Sequence, residues 1–295
     1  MNPLIINSNW GLGDNIFQRP FVRAAAASST VYMDTPWPEL YADLPIKFIR
    51  NPKREGRLRT QTKNVKRQPE WFWEPRPKVA QEISLSYGHA ILQGRSIVRA
   101  IERNLPLKGA PFRFDLPELG GHRFEHSTRP IAIVRPVTLR REWFNEARNP
   151  RPEYLKRIAD RLMDTHHVVS IADLRIAEEW LVDPVPPAHE RLHNGELDVR
   201  ELLAIVRDAD AIIGGVGWIV PASIALKTDC FVILGGMGSH NSPAMITDPR
   251  MDLSRLGFAT PDRFCACSNM RHRCDKTISN LDAQFEKWLD QLGAT

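Results

Sequence analysis

Asn9-Trp10-Gly11-Leu12-Gly13-Asp14-Asn15-Ile16-Phe17-Gln18-Arg19-Pro20 follows directly on the apolar run Leu4-Ile5-Ile6. A short apolar run, two glycines one residue apart and then a helical stretch read as strand, tight turn and helix, the opening unit of a parallel α/β sheet. Asp14 is thereby carried at the carboxyl end of the strand, where open α/β sheets bind their ligands. The glycines are expected to let the backbone turn sharply there. A dinucleotide fingerprint requires a third glycine three residues after the second. Ile16 stands there instead, so the nicotinamide reading is weak. The same residues also fit a plain strand-to-helix turn with Asp14 as N-cap.

Working outward, Val31–Met33 and Ile46–Ile49 read as further strands, and Ile16–Ala27 as the helix between the first two. Helical spacing runs through Ser84–Asn104, and the proline-rich stretch Leu105–Pro117 ends it. Gly120-Gly121 marks a boundary near 120–128. A second series begins with strand Ile131–Val134 and continues with helix Glu153–Met163, strand Val168–Ile171, helix Val199–Arg207 and strand Ala211–Ile213. A turn and helix over Gly214–Leu226 and strand Phe231–Leu234 complete it. Strands alternating with helices imply parallel sheets covered on both faces. Ile278, Leu281, Phe285, Trp288, Leu289 and Leu292 share one face of an amphipathic closing helix. The expected division is 1–125, 126–276 and a C-terminal helix over 277–295.

The 295 residues, 42% of them hydrophobic, are enough for two cores. The apolar runs fall far short of the ~20 residues of a membrane span, and the N-terminus has no basic-then-apolar signal pattern, so a cytoplasmic location is expected. Four cysteines, three of them clustered, are too few for a secreted disulfide scaffold.

Charge is unevenly spread. The net charge is +5, yet Arg50, Lys53, Arg54, Arg57, Arg59, Lys63, Lys66 and Arg67 face only Glu55, which gives +7 within residues 50–67. This segment is expected to be a mobile basic loop, because like charges repel and it offers no apolar face. Trp71-Phe72-Trp73 follows at once. Cations that track phosphates beside aromatics that stack on bases are the composition of a nucleic-acid contact, so Trp71, Trp73 and the basic residues are candidate duplex-DNA contacts. A solvated loop anchored by its aromatics and an anionic lipid surface fit the same residues.

Gly11-Leu12-Gly13-Asp14 with Pro20 six residues after the aspartate resembles the first loop of the family-nine glycosyltransferases, the heptosyltransferase family. In the second half, Leu202 to Gly217-Trp218, through Pro221-Ala222-Ser223-Ile224-Ala225-Leu226 to Phe231–Gly236, is similar to the framework of that family's donor domain. Where the family has Asp-Ser/Thr-Gly and then His, this chain has Val216, Gly217, Trp218 and Pro221. The resemblance implies a GT-B architecture, two Rossmann-like domains facing across a cleft and a closing helix. It implies a nucleotide-sugar co-substrate, with Asp14 as the base of an inverting, metal-independent displacement. It also implies donor contacts at Gly13, in the basic loop after Val134, and at a carboxylate for the ribose, for which Asp173 and Glu178 are candidates.

The residues themselves add detail. Arg135, Arg140, Arg141 and Arg148 form an arginine-rich loop after a strand, suited to bidentate phosphate binding, with Arg140 and Arg141 the first choices. The turn at Gly217 and Trp218 opens a helix, whose N-terminus suits a diphosphate. His240, in the loop Gly235–Asn241, is a further candidate donor contact. Cys265, Cys267, His272 and Cys274 form C-x-C-x4-H-x-C, which either closes a structural zinc site or consists of reduced thiols packed under the terminal helix. The expected activity is transfer of a sugar to a hydroxyl, foremost a hydroxymethylated base in bacteriophage DNA. The alternatives are a heptosyltransferase-like enzyme of lipopolysaccharide assembly and a DNA-binding protein on the same scaffold.

Overall fold

The structure is a computed structural model that describes residues 3–51, 58–88, 93–120 and 128–293. The chain divides into two compact units, Met1–Leu119 and Gly120–Thr295.

In unit 1, β1 (Leu4–Asn7), β2 (Val31–Asp34), β3 (Ile46–Phe48) and β4 (Gln81–Ser84) form a parallel sheet in the order β3-β2-β1-β4. Helix α1 (Leu12–Ala26) connects β1 to β2 on one side, while β4 lies on the other, so the strand order reverses between β1 and β4. All four residues of β1 are buried, as a parallel central strand requires. Phe17, Phe21 and Val22 of α1 pack into the core with Met33, Leu40, Val98 and Ile101. The inner face of α1 also buries Asn15, Gln18 and Arg19. Arg19 is fully buried and forks onto Asp43 at 2.6 and 2.8 Å, with two further donors on the carbonyls of Leu40 and Asp115.

Two expectations change here. The helix expected over Ser84–Asn104 begins only at Ile97, as α3 (Ile97–Asn104) with Ser96 as N-cap, and the segment before it supplies strand β4. Of the basic segment 50–67, residues 52–57, with Lys53, Arg54 and Arg57, lie outside the described residues. Arg59–Arg67 is not a loose loop but helix α2. It is docked by polar side chains: buried Gln61 donates to Trp10 O at 2.9 Å and buried Asn64 to Pro36 O at 2.6 Å.

In unit 2 the main sheet comprises β5 (Ile131–Arg135), β7 (His167–Ile171), β9 (Glu190–Leu192), β10 (Ala211–Gly215), β11 (Asp229–Ile233) and β12 (Leu256–Ala259). Its order is β12-β11-β10-β5-β7-β9 with every pairing parallel. Taken along the chain this is the doubly wound order, with its reversal between β5 and β10. A small antiparallel pair, β6 (Thr138–Arg140) with β8 (Glu179–Leu181), stands apart. Helices α4 (Pro152–Leu162), α5 (Val199–Asp208) and α6 (Ile219–Leu226) accompany the sheet, α5 opened by a full capping box from Asp198 and Glu201. Strand β10 includes Gly214-Gly215, so the turn begins only at Val216. The closing helix α7 (Leu281–Gly293) seats Phe285 and Trp288 on Phe231, ring centroids 5.1 and 5.3 Å away. No side chain fits at Gly257, where a Cβ would lie 2.5 Å from the Trp288 ring.

Candidate functional site

In unit 1 the point of strand reversal carries Asp14. Gly11 is the N-cap of α1 with an ordinary extended backbone, φ −64°. No unusual turn demands a glycine here; the space over Gly11 is occupied by the Asp14 carboxylate, and a Cβ there would lie 2.4 Å from Asp14 Oδ2 and would displace it. Asp14 is therefore not the cap but a first-turn residue whose carboxylate folds back over Gly11. Gly13 lies in the same helical turn.

The Tyr87 hydroxyl, from the segment after β4, donates to Asp14 Oδ1 at 2.5 Å, so the two sides of the reversal meet at this carboxylate. Asn15 holds the loop beneath it: Nδ2 donates to the carbonyls of Asn9 (2.7 Å) and Gly11 (2.9 Å), while Oδ1 accepts from Thr35 and Gln18. Tyr41 donates to Asn15 O, and burial raises its phenol well above the usual range. Tyr87 and Asn15 are absent from the sequence reading. Asn15 was legible as a polar residue on an otherwise apolar helix face, whereas nothing local marks Tyr87.

In unit 2 the reversal carries guanidinium groups. Arg135 ends β5, and the Val216-Gly217 turn follows its neighbour β10. A Cβ on Gly217 would lie 3.8 Å from Arg135 Nη1 and 3.9 Å from Arg148 Nη2, so both guanidiniums converge on this turn, immediately before α6. Among the described residues no hydrogen bond or ion pair engages the Arg135 side chain. Burial, together with repulsion from Arg140 and Arg148 and despite Glu179, lowers its pKa to about 10. Trp218 is the N-cap of α6, with no side-chain cap of its own.

The other arginines are placed differently. Arg140 is held by the buried Glu179 at 3.1 Å, which also accepts from Thr138. Arg141 is exposed, its amide bonded to Glu178 O. Glu178 pairs with Arg175 at 3.4 Å, and the backbone of Asp173 forms an isolated antiparallel β-bridge with that of Asn194. His240 is half-buried, its Nδ1 2.8 Å from Ser239 Oγ, and burial lowers its pKa.

The cysteine and histidine residues come together as a cluster. The ligand atoms of Cys265, Cys267, His272 and Cys274 all lie within 4.8 Å of one another. Cys265 Sγ and Cys274 Sγ lie 3.5 and 3.3 Å from His272 Nδ1, and Cys267 Sγ lies 3.5 Å from Cys274 Sγ. Metal bonds of about 2.3 Å to sulfur and 2.0–2.1 Å to nitrogen give tetrahedral edges of roughly 3.5–3.8 Å, so these residues fit a thiophilic divalent ion. Burial opposes ionisation of Cys267, but hydrogen bonds from Cys274 and neighbouring groups hold it below the ordinary thiol range. Cys274 is raised to about 11, chiefly by burial. The cluster packs against the glycine loop after β11, since a Cβ on Gly236 would lie 2.2 Å from Cys274 Sγ. Beside it opens a cavity of about 790 Å³ lined by Phe144, Glu146, Arg271, Arg273 and Lys276.

The candidate nucleic-acid residues fall into two groups. Arg59, Lys63, Lys66 and Arg67 lie on α2, with Trp71 84% exposed beyond it. Trp73 is half-buried: it and Phe72 pack edge-on with centroids 5.3 Å apart, and the Arg50 guanidinium lies 5.8 Å from its ring. No helix among the described residues is long and apolar enough to cross a membrane.

No protein-family model and no curated protein matches this sequence. Solved structures do match the fold. The iron-containing dodecameric glycosyltransferase TibC of enterotoxigenic Escherichia coli is 14% identical, with a TM-score of 0.63 over 99% of this chain and 77% of that one. A family-nine glycosyltransferase of Veillonella parvula is 10% identical, with a TM-score of 0.59 over 100% and 98%. The lipopolysaccharide heptosyltransferase II of E. coli is 11% identical, with a TM-score of 0.52 over 97% and 99%. The chain thus has the α/β fold, with parallel sheets, of the GT-B glycosyltransferases of the heptosyltransferase family.

Proposed function

We propose that the protein is a glycosyltransferase that binds a nucleotide sugar in unit 2 and uses Asp14 of unit 1 as the base. The observation that carries this reading is the pair Arg135 and Arg148 at the reversal between β5 and β10. Two guanidiniums face a glycine there, one of them without a partner among the described residues. A diphosphate placed against the Gly217 turn would give Arg135 a phosphate to bind and Arg148 a second contact, and the first amides of α6 add further donors. TibC has been solved with ADP-D-β-D-heptose, which supports a nucleotide-sugar donor for this fold.

In the proposed reaction the acceptor hydroxyl attacks the anomeric carbon as the bond to the diphosphate breaks. Asp14 takes the hydroxyl proton, and the departing nucleoside diphosphate keeps the bonding electrons, its charge spread over Arg135 and Arg148. One displacement inverts the anomeric centre, and no metal ion takes part in the step. Tyr87 orients the Asp14 carboxylate through its hydrogen bond. The Cys265–Cys274 cluster is proposed to hold a structural zinc or iron ion; a bound ion would cross-link a segment without helix or strand.

The acceptor is proposed to be a hydroxyl on a phosphate-rich substrate. DNA carrying hydroxymethylated bases fits the basic face of α2 and exposed Trp71. A phosphorylated lipopolysaccharide core fits the likeness to heptosyltransferase II. The test is incubation with a panel of nucleotide sugars and, in separate arms, hydroxymethylated DNA, plain DNA and deacylated lipopolysaccharide core, read by mass. A sugar added in one arm and absent with Asp14→Asn bears the proposal out. Donors left intact in every arm refute it.

A further inference from the structure

Three loops of unit 2 are fastened together around the cysteine-histidine cluster. From the glycine loop after β11, the Gly238 amide donates to Cys265 O at 2.7 Å and Ser239 Oγ to Cys267 O at 2.7 Å. The Gly236 amide donates to Ala147 O at 2.8 Å, and the Ala147 amide donates to Met270 O at 3.1 Å, between the cluster's two pairs of ligands in sequence. Lys276 Nζ donates to Glu146 O at 2.7 Å. The packing leaves no slack, since a Cβ on Gly236 would lie 2.2 Å from Cys274 Sγ and one on Gly235 would lie 2.2 Å from Asn149 O. Residues 260–276 contain no helix or strand, so these bonds and the cluster itself define their path.

The next residue after Ala147 is Arg148, whose guanidinium reaches the Gly217 turn. Its own amide is braced by Asn145 Oδ1 at 3.2 Å. A single peptide unit therefore separates the strand-like bond to the cysteine loop from the cation at the turn.

We propose that a metal ion held by Cys265, Cys267, His272 and Cys274 fixes the position of Arg148 and thereby sets the affinity of unit 2 for the diphosphate of its donor. The inference rests on the donor reading given above. With the ion bound, the carbonyls of Cys265 and Met270 are fixed, and the two neighbouring loops with them. Without it, only weak sulfur hydrogen bonds join three thiols and an imidazole, and the outer support of the 143–149 loop is loosened. The cluster residues act as positioning residues through Arg148 and do not touch the donor. Linkage makes the effect reciprocal: the donor tightens metal binding by the same factor.

The test compares the full-length chain carrying one zinc with the same chain after chelation and repurification, metal content and far-UV circular dichroism being checked in both. ADP, UDP, GDP and CDP are titrated without added magnesium, and amide exchange is followed over 143–149. The expected result is about tenfold weaker binding of the preferred nucleotide after zinc removal, with faster exchange over 143–149. Arg148→Ala is expected to bind weakly whether loaded or stripped. Should the stripped chain unfold, cobalt(II) in the site decides the matter: its ligand-field bands are expected to shift on nucleotide saturation in the parent but not in Arg148→Ala. Equal affinity of folded loaded and stripped protein, unchanged exchange over 143–149, or cobalt bands indifferent to bound nucleotide overturn the coupling while leaving the donor reading intact. A loaded parent that binds none of the four nucleotides overturns both.

Discussion

Replacing Arg135 with methionine should make the free protein more stable and the donor complex weaker. The side chain ends β5 among Arg140 and Arg148, and burial with that repulsion lowers its pKa from the ordinary guanidinium value to about 10. At 1.36 kcal/mol for each tenfold, holding the charge costs roughly 3 kcal/mol, and partial exposure reduces this to about 1–2. The sign follows from linkage. A base whose folded pKa is depressed opposes folding at every pH below about 10, and the penalty fades as pH rises from there towards the ordinary guanidinium value, so at pH 7 it is fully present. Arg135→Met keeps much of the stem's packing and removes the charge, so Tm at pH 7 should rise by about 3–6 °C. Nucleotide binding should lose a charge-assisted phosphate contact of about 1.5–3 kcal/mol, or roughly 10–150-fold in Kd. Differential scanning fluorimetry and calorimetric titration on one preparation read both. A lower Tm with unchanged nucleotide affinity would refute the assignment of Arg135 as a cation waiting for a diphosphate.

Four further outcomes are expected. Asp14→Asn should leave Tm and nucleotide affinity unchanged and reduce transfer by ~10²–10⁴-fold, and native turnover would demote Asp14 to a structural residue. Gly11→Ala places a Cβ 2.4 Å from Asp14 Oδ2, so it should lower kcat by about tenfold or more while Kd for the donor stays constant. Asp43→Asn leaves fully buried Arg19 partly unpaired and should cost about 1–3 kcal/mol in urea unfolding at pH 7. Burial opposes ionisation of Asp43, but Arg19 and Arg23 hold it below 3.8, so its contribution is complete above 3.8 and lost as pH falls through the folded value; a difference between variant and parent that begins to shrink while pH is still well above 3.8 would count against this ion pair. Serine at Lys63, Lys66 and Arg67 should flatten the slope of log K against log salt for duplex DNA by up to ~0.9 per lost phosphate contact, and an unaltered slope removes α2 from the acceptor contact.

The alternation of strands and helices in both units was legible because buried parallel strands write short continuous apolar runs, as at Leu4–Ile6, Ile131–Val134 and Phe231–Ile233. The missed elements lack that signal. Strand β4 lies at a sheet edge with three of its four residues exposed, and Gln81-Glu82-Ile83-Ser84 has a single apolar residue. Helix α2 docks through Gln61 and Asn64 on backbone carbonyls, which no hydrophobic pattern reveals. The cysteine spacing disclosed the cluster, since its four ligands span only ten residues. The Asp14–Tyr87 contact joins residues 73 apart, and the convergence of Arg135 and Arg148 on Gly217 depends on which strands are neighbours. Sequence favoured Arg140 and Arg141 among the loop arginines, but only packing shows that buried Glu179 already holds Arg140 and that Arg141 is exposed.

The central claim is that the reversal between β5 and β10 is a diphosphate site of a glycosyltransferase. A crystal structure with the preferred nucleotide sugar, identified from the donor panel, tests it most directly. The account predicts the two phosphates between the guanidiniums of Arg135 and Arg148, against the Gly217 turn and the first amides of α6. Phosphates bound elsewhere, with Arg135 and Arg148 left without contact to the ligand, would contradict it.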